Sequence, residues 1–335
     1  MKALINQYFS NITNVQIIPI TSGLINQTFR LVVNQQDYIL QSINTQVFKN
    51  PEIITTNILE ISSYLQTQNY PKAVVNLIAN ANGTYLTLFE NKIWRLSAFV
   101  AHSVCYEKVQ ATQQAFEAAK ALSEFHSYLL NFPIHKIQPS IPGFLDYEKR
   151  IGAFNLALQN GNTARVAYAQ PQIQQVLDSM HLVRQYLTIN FPLRVVHADA
   201  KISNFLFDAT QSDQVLAVID WDTILPGNIL CDFGDMIRTY ANLRAEDDPN
   251  PENVFSIENY KAVKKGFLTF LENKLTPSEL QALDLTAKVV ILIQAIRFLT
   301  DYLTDDAYYY TRYEHQNLDR TKNQLNLLEA VITST

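Results

Sequence analysis

The chain has 335 residues, 47% of them apolar, with 26 basic against 31 acidic side chains and a formal net charge of −5. That balance supplies no basic field for nucleic acid, and at roughly 150 residues per domain the length suits two domains or lobes. No uninterrupted run of about 18 apolar residues is present to span a membrane, and Met1-Lys2-Ala3-Leu4-Ile5-Asn6-Gln7 lacks a signal-peptide core. Cys105 and Cys231 lie far apart without metal-ligand spacing, which reads as two reduced thiols in a soluble, cytoplasmic protein.

The first hundred residues are β-rich. Val15 to Ile20, Gln27 to Val33, Asp37 to Gln41 and Thr84 to Phe89 combine β-branched, aromatic and other apolar residues. Thr21-Ser22-Gly23, Asn34-Gln35-Gln36 and Asn82-Gly83 punctuate them as turns or loops. Pro51-Glu52 opens a helix whose Ile53, Ile54, Ile58, Ile61 and Leu65 keep mostly to one face. Trp94 to Val100 is a last strand. From Glu107 the pattern turns helical, with Phe116, Ala119, Leu122, Phe125 and Leu129 at three- and four-residue steps. Residues 151–190 read as helix broken at Gly161-Asn162, followed by short strands at Leu193 to Val196, Phe205 to Asp208 and Val215 to Asp220. Helices are expected over Met236 to Leu243, Ile257 to Asn273, Ala287 to Leu303 and Leu318 to Ile332. The acidic, proline-bearing stretch from Ala245 to Pro251 reads as a solvated loop.

Among the short strands lies His197-Ala198-Asp199-Ala200-Lys201-Ile202-Ser203-Asn204, an H-x-D-x-x-x-x-N spacing, followed at a strand end by Asp220-Trp221-Asp222. Phosphoryl transfer from ATP needs such a set. One carboxylate meets the acceptor hydroxyl, while an amide oxygen and a second carboxylate hold Mg²⁺ against the phosphates. Asp199 is therefore read as catalytic base, and Asn204 with Asp220 as Mg²⁺ ligands. In extended backbone Asp222 points the same way as Asp220, so it helps the metal, grips a substrate hydroxyl, or anchors the following Pro226-Gly227 turn. His197 braces the loop; Lys201 either neutralises the transferring phosphate or points to solvent. Asp232-Phe233-Gly234 spells D-F-G, yet it follows Asp220 and reads as the start of the next helix, where acids suit the N-terminal dipole. Asp232 is a candidate brace for the catalytic loop, with Arg238 as its partner.

The segments VVHADAKISNFLFD and AVIDWDTILPGNILCDFGDMIR resemble the phosphotransferase family that includes aminoglycoside phosphotransferases, choline kinases and homoserine kinases. TSGLINQTFRL, YILQSINTQVFKNPEII, IRFLTDYL and HQNLDRTKNQ are similar, within it, to bacterial N-acetylhexosamine 1-kinases. The resemblance implies an α+β, protein-kinase-like bilobal fold. A β-rich, nucleotide-covering lobe would span 1–100 with a hinge at 97–100, and a larger helical lobe 101–335. ATP would lie in the cleft, its adenine on the backbone of Ser97-Ala98-Phe99. The loop Ser22-Gly23-Leu24-Ile25-Asn26 would cover the phosphates, with an ordinary hairpin turn as the alternative. Gln41 falls where many relatives carry a phosphate-pairing Lys. A neutral amide cannot supply that charge, so Lys49, Lys201, or Mg²⁺ with backbone donors would compensate. The implied acceptor is the anomeric hydroxyl of N-acetylglucosamine or N-acetylgalactosamine. Asp199 and Asp222 would take sugar hydroxyls, and Arg297 and Tyr302 would close the pocket from a C-terminal helix. Arg297 also interrupts the apolar run from Val289 to Leu299, and its alternative is an ion pair with Asp301 or Asp232. Choline, homoserine or an aminoglycoside as acceptor, and a non-catalytic nucleotide- or sugar-binding relative, remain open. No nucleic-acid or membrane partner is expected.

Overall fold

Asn34 and Gln35 show how local chemistry starts the first sheet. Strand β1 (Val15–Ile20) pairs antiparallel with β2 (Gln27–Val33), and β2 pairs with β3 (Gln36–Ile43). The β2–β3 loop is two residues, both left-handed, with φ of 49° at Asn34 and 68° at Gln35. Such a turn follows the natural twist of the flanking strands. The Asn34 side chain then accepts hydrogen bonds from the backbone and hydroxyl of Thr13.

In this computed structural model residues 1–21, 25–211 and 213–335 are described. They gather into two compact units. One comprises 1–108, 125–142 and 194–226, and the other 109–124, 143–193 and 227–335. In the first, a short helix α1 (Lys2–Ile5) buries Leu4 and Ile5 in a cluster with Leu31, Val33, Leu40, Trp94 and Leu96. Helix α2 (Pro51–Thr67) starts with Pro at its first position and buries Ile54, Ile58, Ile61 and Leu65. Strands β4 (Leu77–Ile78) and β5 (Thr87–Phe89) both pair with β6 (Lys92–Ala98), whose other edge pairs with β3. After β7 (Ser103–Val104), helix α3 (Thr112–Leu129) runs from the second unit into the first. It begins at Thr112 rather than Glu107, since Val109 to Ala111 precede the first helical turn.

The second unit is helical. It contains α4 (Tyr147–Asn160), α5 (Thr163–Tyr168) and α6 (Gln170–Leu187). Asn162 caps α5 through its side chain, which accounts for the break expected at Gly161-Asn162. Beyond the first unit's strands β8 (Arg194–Val196), β9 (Phe205–Asp208), β10 (Val215–Val218) and β11 (Leu225–Gly227) come α7 (Leu230–Tyr240) and α8 (Ile257–Leu268). Two more helices, α9 (Pro277–Leu303) and α10 (Gln316–Ser334), complete the chain. Helix α9 packs against α4, α6, α7 and α10. It starts at Pro277 rather than Ala287, under a capping box in which the Thr276 hydroxyl accepts from the Glu279 backbone and the Glu279 carboxylate accepts from Thr276. The stretch 245–251 is not merely solvated. Asn323 on α10 donates to the carbonyls of Ala245 and Asp248, and Asp247 accepts from Gln316. No helix among the described residues is long and apolar enough to cross a membrane.

The D-F-G letters belong to this helical packing. Gly234 sits in α7, where an added Cβ would lie 2.6 Å from Val290 Cγ2 on α9. Gly234→Ala is expected to cost about 1–3 kcal/mol of stability despite alanine's better helix propensity. Chemical denaturation checks this; an unchanged or raised midpoint would show that the α7–α9 contact yields.

Candidate active site

Two loops carry the acidic residues, both within the first unit. One joins β8 to a single 3₁₀ turn over Ile202–Asn204 and then β9; the other joins β10 to β11 through a 3₁₀ turn over Trp221–Thr223. Antiparallel pairing of β9 with β10, and the pairing of β8 with β11, fix the strands at the loop ends. Trp221 is 1% exposed, donates its indole N–H to the Val218 carbonyl at 2.9 Å and packs on Phe125, so it nails down the second loop.

His197 ties the loops together. It is fully buried, with Nε2 donating to the Ile219 carbonyl at 2.8 Å and Nδ1 accepting from the Asp199 backbone at 3.3 Å. Those roles describe a neutral imidazole with its proton on Nε2, which suits a brace rather than a proton carrier. Its carbonyl accepts from the Thr223 hydroxyl at 2.8 Å. Between His197 and Asp199, Ala198 is left-handed at φ 64°. Asp220 is left-handed too, at φ 61°. Non-glycine residues held there cost of order 1–3 kcal/mol each, and such strain clusters at functional sites.

The Asp199 carboxylate stays partly open, at 24% side-chain exposure, and has two partners. Asn204 Nδ2 donates to its Oδ2 at 2.9 Å and to its backbone carbonyl at 2.7 Å; Lys201 Nζ pairs with Oδ2 at 2.9 Å. Lys201 thus neutralises the candidate base rather than pointing freely to solvent. Asn204 commits its amide nitrogen to Asp199, which leaves Oδ1 as an acceptor. Asp220 is exposed in surface terms, though neighbouring atoms enclose its carboxylate. Its proton affinity is raised above the ordinary carboxylate range by that loss of water and by the charges of Asp222 and Asp199, against the pull of Lys201 and Arg95. A carboxylate crowded by other acids is a natural seat for a divalent cation. No group of three His, Cys, Asp or Glu side chains suitable for a metal occurs among the described residues. Mg²⁺ needs only one or two protein oxygens besides phosphate oxygens, so Asn204 Oδ1 and Asp220 fit it.

Asp222 is closed off. At 2% exposure it forms a bidentate ion pair with Arg95 on β6, 2.7 Å from Nη1 to Oδ1 and 2.9 Å from Nη2 to Oδ2. Asn26 Nδ2 donates to the same Oδ2 at 2.7 Å. This geometry makes Asp222 a residue that orders its surroundings, with both oxygens engaged by Arg95 and Oδ2 also by Asn26. Gln41 is equally engaged: its Oε1 accepts from Arg95 Nε at 3.0 Å and Nη2 at 2.8 Å, and its Nε2 donates to Thr28. The cation beside the acidic cluster therefore comes from β6, one strand over from Gln41. Lys49 is exposed ahead of α2. Arg95 had a sequence signal, a charge inside the apolar strand Ile93-Trp94-Arg95-Leu96, the same signal that singles out Arg297.

At the expected hinge, the Ala98 N–H already donates to the Asn76 carbonyl at 2.9 Å, and Arg30 stacks over the Phe99 ring at 4.8 Å. Ser22 and Gly23 lie outside the described residues. A family model described as the phosphotransferase enzyme family matches residues 16–258. The chain belongs to that family. Solved structures agree on the fold of this phosphotransferase. An aminoglycoside phosphotransferase from Alicyclobacillus acidocaldarius matches at TM-score 0.68 and 13% identity, covering 100% of this chain and 94% of that one. A microcompartment-associated aminopropanol kinase matches at 0.68 and 14%, covering 99% and 97%. A spectinomycin phosphotransferase, solved with ADP and spectinomycin, matches at 0.63 and 12%, covering 98% and 96%. The fold is thus protein-kinase-like α+β, as expected.

The remaining candidates of the phosphotransferase lie in the second unit. Asp232 is fully buried in the first turn of α7. Arg238 pairs with Asp235 at 2.8 Å. Tyr302 is fully buried, with its hydroxyl 3.0 Å from His315 Nδ1 and Arg165 over its ring, the setting of a packing residue. Arg297 forms no ion pair with Asp301 or Asp232; it donates to Gln294 and lies over the rings of Phe144 and Tyr309.

Proposed function

We propose that this phosphotransferase is an ATP- and Mg²⁺-dependent small-molecule kinase whose acceptor is a sugar hydroxyl, the anomeric hydroxyl of N-acetylglucosamine or N-acetylgalactosamine. The observation that carries the reading is the Asp199 carboxylate, partly exposed and oriented by Asn204 and Lys201, with Asp220 among its acidic neighbours. Asp199 accepts the proton of the attacking hydroxyl, and Lys201 offsets the charge gathering there. Asn204 and Asp220 hold Mg²⁺, which when bound neutralises the phosphate oxygens. The likeness to a spectinomycin phosphotransferase solved with ADP supports ATP as donor, and the distributed similarity to N-acetylhexosamine 1-kinases supports the amino sugar. Lobes divided near residue 100, adenine at 97–99 and a cytoplasmic setting belong to the same reading.

The test is ADP release with ATP and Mg²⁺ across N-acetylglucosamine, N-acetylgalactosamine, choline, aminopropanol, homoserine and kanamycin, with phosphorus NMR on products. An acid-labile anomeric phosphate is the expected product. Turnover with another acceptor alone would discard the sugar and keep the kinase. Silence with every acceptor while ATP binds would replace the kinase by a non-catalytic binding protein.

A further inference from the structure

Within the first unit, the chain beyond α3 runs back along α2 before it meets the acidic turn. Three contacts mark the path. The Phe132 ring meets Tyr64 edge-on with centroids 5.1 Å apart, and Lys136 Nζ pairs with Glu60 at 2.7 Å. Gln138 then exchanges two hydrogen bonds with the Asn57 amide. Its carbonyl accepts from Nδ2 at 2.7 Å, and its N–H donates to Oδ1 at 3.2 Å. Steps of four and three residues place Tyr64, Glu60 and Asn57 on one face of α2, so the strap from Phe132 to Ser140 follows that face antiparallel to the helix. Pro133 and Pro139 stiffen it by fixing φ. Phe132, Ile137 and Ser140 are buried.

The polar line along this strap ends on the turn that carries Asp220. The buried Ser140 hydroxyl donates to the Asp222 carbonyl, and Asn57 Nδ2, in a side chain equally buried, also reaches the Ile224 carbonyl at 3.4 Å. Asp220 needs such support. Its backbone is left-handed at φ 61°, a conformation that persists only where the surroundings over-determine it. Trp221 and Thr223 fasten the turn to the Val218 and His197 carbonyls, while Ser140 and Asn57 fasten it to α2. We propose that Ser140 and Asn57 are positioning residues for Asp220, holding its turn so that the carboxylate is presented to Mg²⁺ alongside Asn204. The inference rests on the kinase reading for the role of Asp220 and adds α2 and the strap as the frame that sets the seat of the metal.

Ser140→Ala in the full chain tests it. Loss of one such hydrogen bond should raise the Mg²⁺ concentration for half-maximal ADP release about fivefold. The kcat at saturating Mg²⁺ and the KM of the acceptor should stay close to the parent's values, a split that a general loosening of the fold would not give. Mn²⁺ titrated into the protein–ADP complex and followed by electron paramagnetic resonance should weaken by the same factor, without any need for turnover. Asn57→Ala should shift both readouts in the same direction. Lys136→Ala, which removes only a surface pair, should shift neither. Unchanged metal dependence in Ser140→Ala and Asn57→Ala overturns the proposal, whatever their urea midpoints, and so does an equal shift in Lys136→Ala. If Ser140→Ala does not fold, Asn57→Ala decides alone. A parent that binds no Mn²⁺ with ADP removes the kinase reading and this inference together. A parent that binds Mn²⁺ but turns over no acceptor fails the kinase reading alone, and the Mn²⁺ titration still decides the strap.

Discussion

Asp199→Asn is expected to lower kcat by about two to four orders of magnitude, the usual contribution of a positioned general base. The substitution is nearly isosteric, and the Asn204 and Lys201 partners surround the Asp199 side chain in the native state, so the loop should keep its shape. What is lost is the proton acceptor. The informative readout is therefore the split between steps. Turnover should fall with every acceptor, while ATP affinity measured by calorimetry should change by no more than a few-fold. The Lys201 ammonium loses its Asp199 counter-charge at the same time and keeps the charge of Asp220 near it. Retained turnover would remove Asp199 from the role of base. A parallel loss of ATP binding would make it a folding residue instead.

Arg95→Met should be the most damaging single change to stability outside the apolar core. The Arg95 and Asp222 side chains are only 4% and 2% exposed, and their ion pair is bidentate. Stripping one partner leaves a buried, unpaired carboxylate, which costs about 3–5 kcal/mol. The change also removes the donors to the Gln41 amide oxygen, which among the described residues accepts only from Arg95. The companion experiment is the double change Arg95→Met with Asp222→Leu. Removing both charges should restore much of the lost stability, because desolvation no longer has to be offset, while the acidic loop loses its anchor. Arg95→Lys should fall between, keeping the charge without the planar fork. Urea unfolding midpoints distinguish these cases. A single variant as stable as the parent would mean that water reaches Asp222.

The sequence spoke most clearly where short-range chemistry decides the outcome. β1, β2 and β9 lie where runs of β-branched, aromatic and apolar residues placed them, and α2 begins at its proline. The H-x-D-x-x-x-x-N spacing and the second acidic pair pointed to two loops that do converge through His197. Helix α9 was harder. Its first turns were legible in Ser278, Gln281, Asp284 and Lys288 at helical spacing and in the capping box of Thr276-Pro277-Ser278-Glu279, but the apolar run from Ala287 drew the boundary inward. The pairing of Arg95 with Asp222 was out of reach for another reason. They sit 127 residues apart, and nothing local to either names the other. Gln41 looked like a missing charge when it is the acceptor that orients a charge from the neighbouring strand.

That separation also bears on how the chain is made. Arg95 is synthesised 127 residues ahead of Asp222. At synthesis rates of roughly 5–20 residues per second, the guanidinium waits on the order of six to twenty-five seconds for its carboxylate. Until then the Arg95 guanidinium has the neutral Gln41 amide oxygen as its partner and no carboxylate to offset its charge. Burial of Arg95 is thereby tied to delivery of the acidic loops.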